Sequence, residues 1–489
     1  MMKNWRKVIV LAVVLAVFIA AFIFLNNINN IKDPNDPNDP ADTGTEEKLL
    51  DIDRQEIKSI TLKHGHEEFI FIKEEIEVES EVTDDEGQTK TVTEKKEIWT
   101  NPDIELDEAK INNIALSAEL STITRVIDEA PEDLSIYGLD RPIVVTLLMK
   151  DGTKHSIEVG GQTPTQDNYY VRRGGDKTVY TISKYRGDML SYSKFDIMKK
   201  SLYEKDEVAV EDITALTFTR NGEKIFDSVF DVATSEWKIT WPLNAKADMM
   251  EFPKFLQWLS GVTVSEFIEE NASDLGQYGL EEPSYVFDFV LDGKQYGIRL
   301  GSKTDTHYYA KMNDNPMVFT VSSSNLNFVD LSLVDLIERF IYIPNIADVE
   351  KLVIEMDGRV DTLLIYANNE DKSKEEFFIN GRKMETDNEV SLFRGYYQGA
   401  IGLMADRLDF EAKPEGQAEI RLTYTMKEAK PDKIVVVELI PTNDGYGYYL
   451  VKNNEYSGFV MGKRQLDKDH GIRFLYEKLV NGLTESASE

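Results

Sequence analysis

The chain has no cysteine among its 489 residues. That excludes disulfides, thiolate metal sites, iron–sulfur clusters, cysteine nucleophiles and lipid attachment through an N-terminal cysteine. Histidine is scarce: the five, His64, His66, His155, His307 and His470, are scattered, and a zinc site wants three or four ligands. His64 and His66 flank a turn glycine and supply at most two. Positive charge is also short, with 55 Lys and Arg against 88 Asp and Glu for a formal net charge of -33. The first 25 residues hold Lys3, Arg6 and Lys7 and no acid, so the remainder carries -36. A body that acidic repels phosphate backbones and anionic headgroups, which excludes nucleic acid as a partner. HExxH, GxSxG and the phosphate-cradling GxxxxGK[ST] are missing as well. No cofactor, metal site or catalytic residue is assigned.

What is present begins with an apolar run. Residues 8–25, VIVLAVVLAVFIAAFIFL, are 18 apolar residues without charge, near the lower length for crossing a bilayer. Lys3, Arg6 and Lys7 precede it, so the expectation is a cytoplasmic tail (1–7), a transmembrane helix (8–25) and a body outside the cytoplasm. The alternative is a cleaved signal peptide, but no small-residue cleavage pair follows the run. Residues 26–49 contain repeated Asp-Pro-Asn, which blocks helix and sheet, and read as an extracytoplasmic linker.

The body is self-similar. Residues 133–160 read DLSIYGLDRPIVVTLLMKDGTKHSIEVG and residues 274–301 read DLGQYGLEEPSYVFDFVLDGKQYGIRLG. Tyr137, Gly138, Leu139 and Pro142 recur 141 positions later as Tyr278, Gly279, Leu280 and Pro283. Tyr169-Tyr170 returns as Tyr308-Tyr309 and again as Tyr448-Tyr449, and turns at Gly65, Asn221-Gly222 and Asp357-Gly358 fit tight hairpins that need positive φ. The expected units are 50–206, 207–345 and 346–489. The third is degenerate: it lacks Tyr-Gly-Leu, so a rearranged middle is expected there.

Within a unit, a hairpin and a short strand (IWT at 98–100, WKIT at 237–240) precede a helix. In MMEFPKFLQWLSG, residues 249–261, Phe252, Phe255, Leu256 and Leu259 make one apolar stripe. Residues 76–96 read as a protruding hairpin inserted in the first unit. Segregated strands with one or two helices per unit give the fold class α+β, with antiparallel or mixed sheets. The glycine of each Tyr-Gly-Leu turn is expected at positive φ. The paired tyrosines and Trp99, Trp237, Trp241 and Trp258 are read as core packing, against the alternative of a sugar-stacking face.

The pattern YGL-x-x-P, strand, Asp-Gly, strand-Gly, then YYV and VYTI resembles the bacterial DUF4340 domain over about 120–200 and 260–342. The resemblance implies an N-terminal membrane anchor and an extracytoplasmic body, often encoded beside gliding-type ABC transporter subunits. It carries no catalytic residues. The function expected is therefore that of a membrane-anchored accessory or binding protein beside an ABC-type transporter complex, without catalysis of its own. The alternatives are an envelope enzyme using carboxylates on glycan or peptide, and a passive scaffold.

Overall fold

A computed structural model describes residues 47–83, 89–205, 207–313, 315–367, 374–427 and 433–486. The apolar run at 8–25, most of the linker and the tip of the inserted hairpin lie outside them. Among the described residues no helix is long and apolar enough to cross a membrane. The chain divides into two compact units, residues 1–199 and 200–489.

Unit one holds an eight-stranded sheet. Its strands are β1 (Ile57–His64), β2 (Glu67–Thr83), β3 (Thr89–Thr100), β4 (Arg125–Asp128), β5 (Ile143–Met149), β6 (Lys154–Gln162), β7 (Asn168–Arg173) and β8 (Val179–Ser183), in the order β3-β2-β1-β5-β6-β7-β8-β4. Helix α1 (Glu108–Leu120) stands between β3 and β4, and α2 (Lys184–Leu190) and α3 (Lys194–Ile197) follow β8. Asp107 caps α1 by accepting from the amides of Ala109 and Lys110. Ile111, Ile114 and Ala118 are fully buried against Ile60, Leu62, Val145, Leu147 and Ile157 of the alternating strand faces. The inserted segment extends β2 and β3 into a long two-stranded ribbon, so the strand expected at 98–100 begins at Thr89.

Unit two holds two nine-stranded sheets. The first contains β9 (Ile213–Arg220), β10 (Glu223–Asp231), β11 (Glu236–Trp241), β12 (Ala245–Lys246), β13 (Glu266–Glu269), β14 (Tyr285–Leu291), β15 (Lys294–Lys303), β16 (His307–Met312) and β17 (Val318–Ser322), with α4 (Pro253–Gly261) between β12 and β13. The second contains β18 (Val349–Met356), β19 (Arg359–Tyr366), β20 (Glu376–Ile379), β21 (Arg382–Lys383), β22 (Arg407–Leu408), β23 (Ile420–Met426), β24 (Ile434–Pro441), β25 (Gly447–Lys452) and β26 (Glu455–Gly462). Helix α5 (Asp387–Ile401) lies between β21 and β22, and α6 (Ile472–Ser486) follows β26.

The two orders are β12-β11-β10-β9-β14-β15-β16-β17-β13 and β21-β20-β19-β18-β23-β24-β25-β26-β22. Position by position they are the same fold, and the sheet of unit one follows the same order, differing among the described residues only in lacking the two-residue edge strand. The third copy is thus not rearranged in its middle. It has lost the Tyr-Gly-Leu turn between β22 and β23 and kept every pairing, because the ladder depends on strand registers rather than on that turn. All paired strands run antiparallel, which decides between the antiparallel and mixed alternatives in favour of the first.

A second correction concerns α4, which starts at Pro253 and not at Met249. Proline lacks the amide hydrogen that an interior position would need and is tolerated at the first turn. The expected stripe is there: Phe252, Phe255, Leu256 and Leu259 are all buried.

Candidate functional site

The recurring motif is a piece of structural joinery. Gly138 has φ +67° and Gly279 has φ +66°, the left-handed conformation that ends a 3-10 turn in each copy. A Cβ on Gly138 would stand 2.7 Å from the Gly161 amide nitrogen, and one on Gly279 2.7 Å from that of Ser302. Reciprocally, a Cβ on Gly160 or Gly301 would collide with the carbonyl of Tyr137 or Tyr278. The Tyr-Gly-Leu turn therefore lies directly on the β6 or β15 strand, and Leu139 and Leu280 drop into the core. Pro142 immediately precedes β5, Pro283 stands just ahead of β14, and both are half-buried.

The tyrosines finish the joint. The Tyr137 hydroxyl donates to Asp128 at 3.1 Å and that of Tyr278 to Glu269 at 2.8 Å. Lost hydration, then the Asp128 carboxylate, raises the Tyr137 hydroxyl above its ordinary pKa; for Tyr278 the Glu269 hydrogen bond is the larger cause. Their rings meet the second tyrosine of each pair, Tyr137 on Tyr170 and Tyr278 on Tyr309, both at 5.1 Å. The first tyrosine is half-buried at Tyr169 and buried at Tyr308, while in the third copy both Tyr448 and Tyr449 are buried. All eight motif residues thus build the fold.

A candidate ligand site appears where the copies differ. Isolated bridges pair Lys48 with Thr122, Ser201 with Thr263 and Phe340 with Met404, which aligns the ends of α1, α4 and α5. Five residues back from each stand Ser117, Trp258 and Gly399. In the first copy Ser117 is buried and its hydroxyl meets Met189 Sδ of α2 at 3.1 Å. In the third copy a Cβ on Gly399 would stand 2.9 Å from Cα of Ile472 in α6. Small residues there let a neighbouring helix close on the unit's own helix. In the second copy the residue is tryptophan, a short 3-10 turn (Asn327–Asp330) stands where α2 stands in the first, and a groove of about 610 Å³ is left open.

Trp258 packs on Phe287 at 5.0 Å and on Phe328 at 6.4 Å, and it lines the groove together with Gln257, Thr263, Ser324, Asn325 and Asn327. No sequence motif marks this site; the signal in the sequence was the Ser, Trp, Gly variation at one helix position. A second groove of about 650 Å³ lies between the two sheets of unit two, lined by Phe340, Ile343, Lys452 and Tyr456 among others. The Tyr456 hydroxyl there is buried without a hydrogen-bond partner.

The histidines do not converge. His307 Nδ1 meets the Thr306 hydroxyl at 2.8 Å, and Nε2 of His64 is buried without a partner. Among the described residues no group of three His, Cys, Asp or Glu side chains is arranged to hold a metal ion.

An antiparallel sheet unit copied three times, with a joint that recurs and a groove that does not, defines a tandem-repeat α+β protein. The chain belongs to the family described as a domain of unknown function, DUF4340, whose profile matches residues 97–228 and 237–392, more than half of the chain. Each match starts in the third strand of one sheet and ends in the following copy, so the family unit is out of phase with the sheets. No curated protein matches the chain, and no solved structure does.

Proposed function

We propose that the chain is a membrane-anchored, extracytoplasmic accessory or binding protein of an ABC-type envelope transporter, with no catalysis of its own. Anchoring and orientation rest on the apolar run at 8–25 behind Lys3, Arg6 and Lys7. The observation that carries the binding role is an exposed apolar cluster on unit two. Val232, at the β10–β11 turn, is 81% exposed, and Met249 and Met250, between β12 and α4, are each 79% exposed. The two segments meet at Trp237, whose carbonyl accepts from the Ala247 amide at 2.9 Å and whose ring lies 6.0 Å from Phe230 and 5.2 Å from Phe252. Exposed valine and methionine side chains on two segments that both contact the half-buried Trp237 suit a protein contact better than a free surface.

The test places a photo-crosslinking residue at Met249 or Met250 of the full chain in its native membrane. The expected product joins the chain to an integral-membrane subunit of a transporter. Cross-links confined to soluble proteins, or a body that external protease cannot reach in wall-stripped cells, overturn the reading. A turnover that disappears on changing one Asp or Glu moves the enzyme alternative ahead.

A further inference from the structure

We infer that the groove of the second copy is a binding site for a neutral saccharide, with Trp258 as its stacking platform. This goes beyond the partner reading and does not rest on it. The first support is the internal comparison: the same place is closed by α2 over Ser117 and by α6 over Gly399, whereas the second copy carries a large aromatic and no covering helix. Covering a helix needs a small residue at the contact; Trp258 instead braces itself on Phe287 and Phe328 and lines the open groove.

The second support is the chemistry of the walls. The side chains of Gln257, Thr263, Asn325 and Asn327 line the groove with no hydrogen bond to other described residues. Amides and hydroxyls both donate and accept, which matches a sugar hydroxyl doing the same. The indole offers an apolar face for the C–H side of a pyranose ring and an N–H at its edge. Charge is balanced out. No carboxylate lines the groove among the described residues, although the chain has 88 acidic residues, and the lining Lys254 is paired with Glu251 at 2.5 Å. An anionic ligand would face the negative field of the whole body, and a cation would find no countercharge. The chemistry left is a neutral, polyhydroxylated molecule with an apolar face. A volume of about 610 Å³ is in the range of small-molecule sites.

The test uses the full chain in detergent with indole-15N-labelled tryptophan. The probes are neutral linear tetrasaccharides of β-1,4-linked glucose and of β-1,4-linked N-acetylglucosamine, and a Gly-Ser-rich peptide as the competing class. The Trp258 signal is assigned by Trp258→Phe, which retains an aromatic against Phe287 and Phe328. The expected result is a saturable shift of that signal with one tetrasaccharide, at a Kd of about 1 mM or tighter. Asn325→Gly removes the amide while accepting the local φ of +63°. It should weaken the binding at least about tenfold. The other indole signals, unmoved, show that each variant is folded. The proposal is overturned if neither tetrasaccharide shifts the Trp258 signal at about 10 mM. It is equally overturned if Asn325→Gly binds as well as the parent, or if the peptide alone produces the shift.

Discussion

Gly279 and Gly293 share a backbone conformation, at φ +66° and +76°, and differ in what surrounds them. Nothing lies within 4 Å of a Cβ on Gly293, whereas one on Gly279 would meet the Ser302 amide nitrogen at 2.7 Å. Asparagine tolerates positive φ, so placing it at both positions separates conformation from space. Gly293→Asn should change unfolding stability by less than about 0.5 kcal/mol. Gly279→Asn should cost about 2 kcal/mol or more, since the turn has to lift off β15. Equal costs in denaturant titrations would mean that the glycine serves its φ alone. Sequence reasoning reached the φ, because a repeated Tyr-Gly-Leu demands a local reason. It did not reach the close approach, because the contacting Gly160 and Gly301 lie a strand away. Trp258 was legible only as one of four tryptophans in the alternative of a sugar-stacking face, with core packing preferred; what singles it out comes from Ser117 and Gly399, which share no motif with it.

Among the elements, α5 is closed at its N-terminus by a complete capping box. The Thr386 hydroxyl accepts from the Glu389 amide at 3.2 Å, and the Glu389 carboxylate accepts from the amides of Glu385 and Thr386 and from Arg382 at 2.6 Å. Those amide bonds, the one from Glu385 foremost, hold the buried Glu389 carboxyl below its ordinary value of 4.5 despite burial, which acts in the opposite direction. A carboxyl whose folded value is depressed stabilises the fold fully above the unfolded value, and that contribution fades as pH falls through the folded one. Thr386→Ala should cost about 1 kcal/mol at neutral pH. Glu389→Gln should be less stable than the parent at neutral pH, and the gap between their unfolding midpoints should narrow as pH drops below 4.5. A gap independent of pH would remove the charge from the explanation. Elements of this kind were legible where periodicity was strong, as in the Phe252 to Leu259 stripe, and misplaced where it was silent: Met249 and Met250 extend the apolar pattern but precede the proline that begins the helix.

At the scale of the whole molecule, the repeat was legible from turn residues and the unrearranged middle of the third copy was not, since the missing Tyr-Gly-Leu turn left the pairing of its strands unmarked. Copying a sheet unit also copies the problem of covering the outer side of its helix. The third copy solves it with the C-terminal helix α6. Ile472 and Leu479 are fully buried, Tyr476 lies 5.4 Å from Tyr396 of α5, and Arg473 holds Asp357 at 2.9 and 3.0 Å. Arg359 lies over the Tyr476 ring at 3.6 Å, a cation–π contact within the same cover. Truncation after Gly471 removes these contacts and leaves Gly395 and Gly399 as a bare trough on α5. Hydrogen exchange should then speed up at the α5 amides, while α1, covered within the first copy by α2, keeps its rates. The point substitutions resolve the same contact more finely. A Cβ on Gly395 would sit 3.7 Å from Leu475, in ordinary contact, so Gly395→Ala should be neutral or stabilise by up to about 1 kcal/mol through helix propensity. Gly399→Ala meets the α6 backbone at 2.9 Å and should destabilise in the full chain, yet stabilise in the truncated one, where the obstacle is gone. If Gly399→Ala has the same sign with and without α6, then glycine at that position is not there to admit a covering helix, and the comparison that singles out the open groove over Trp258 loses its third member.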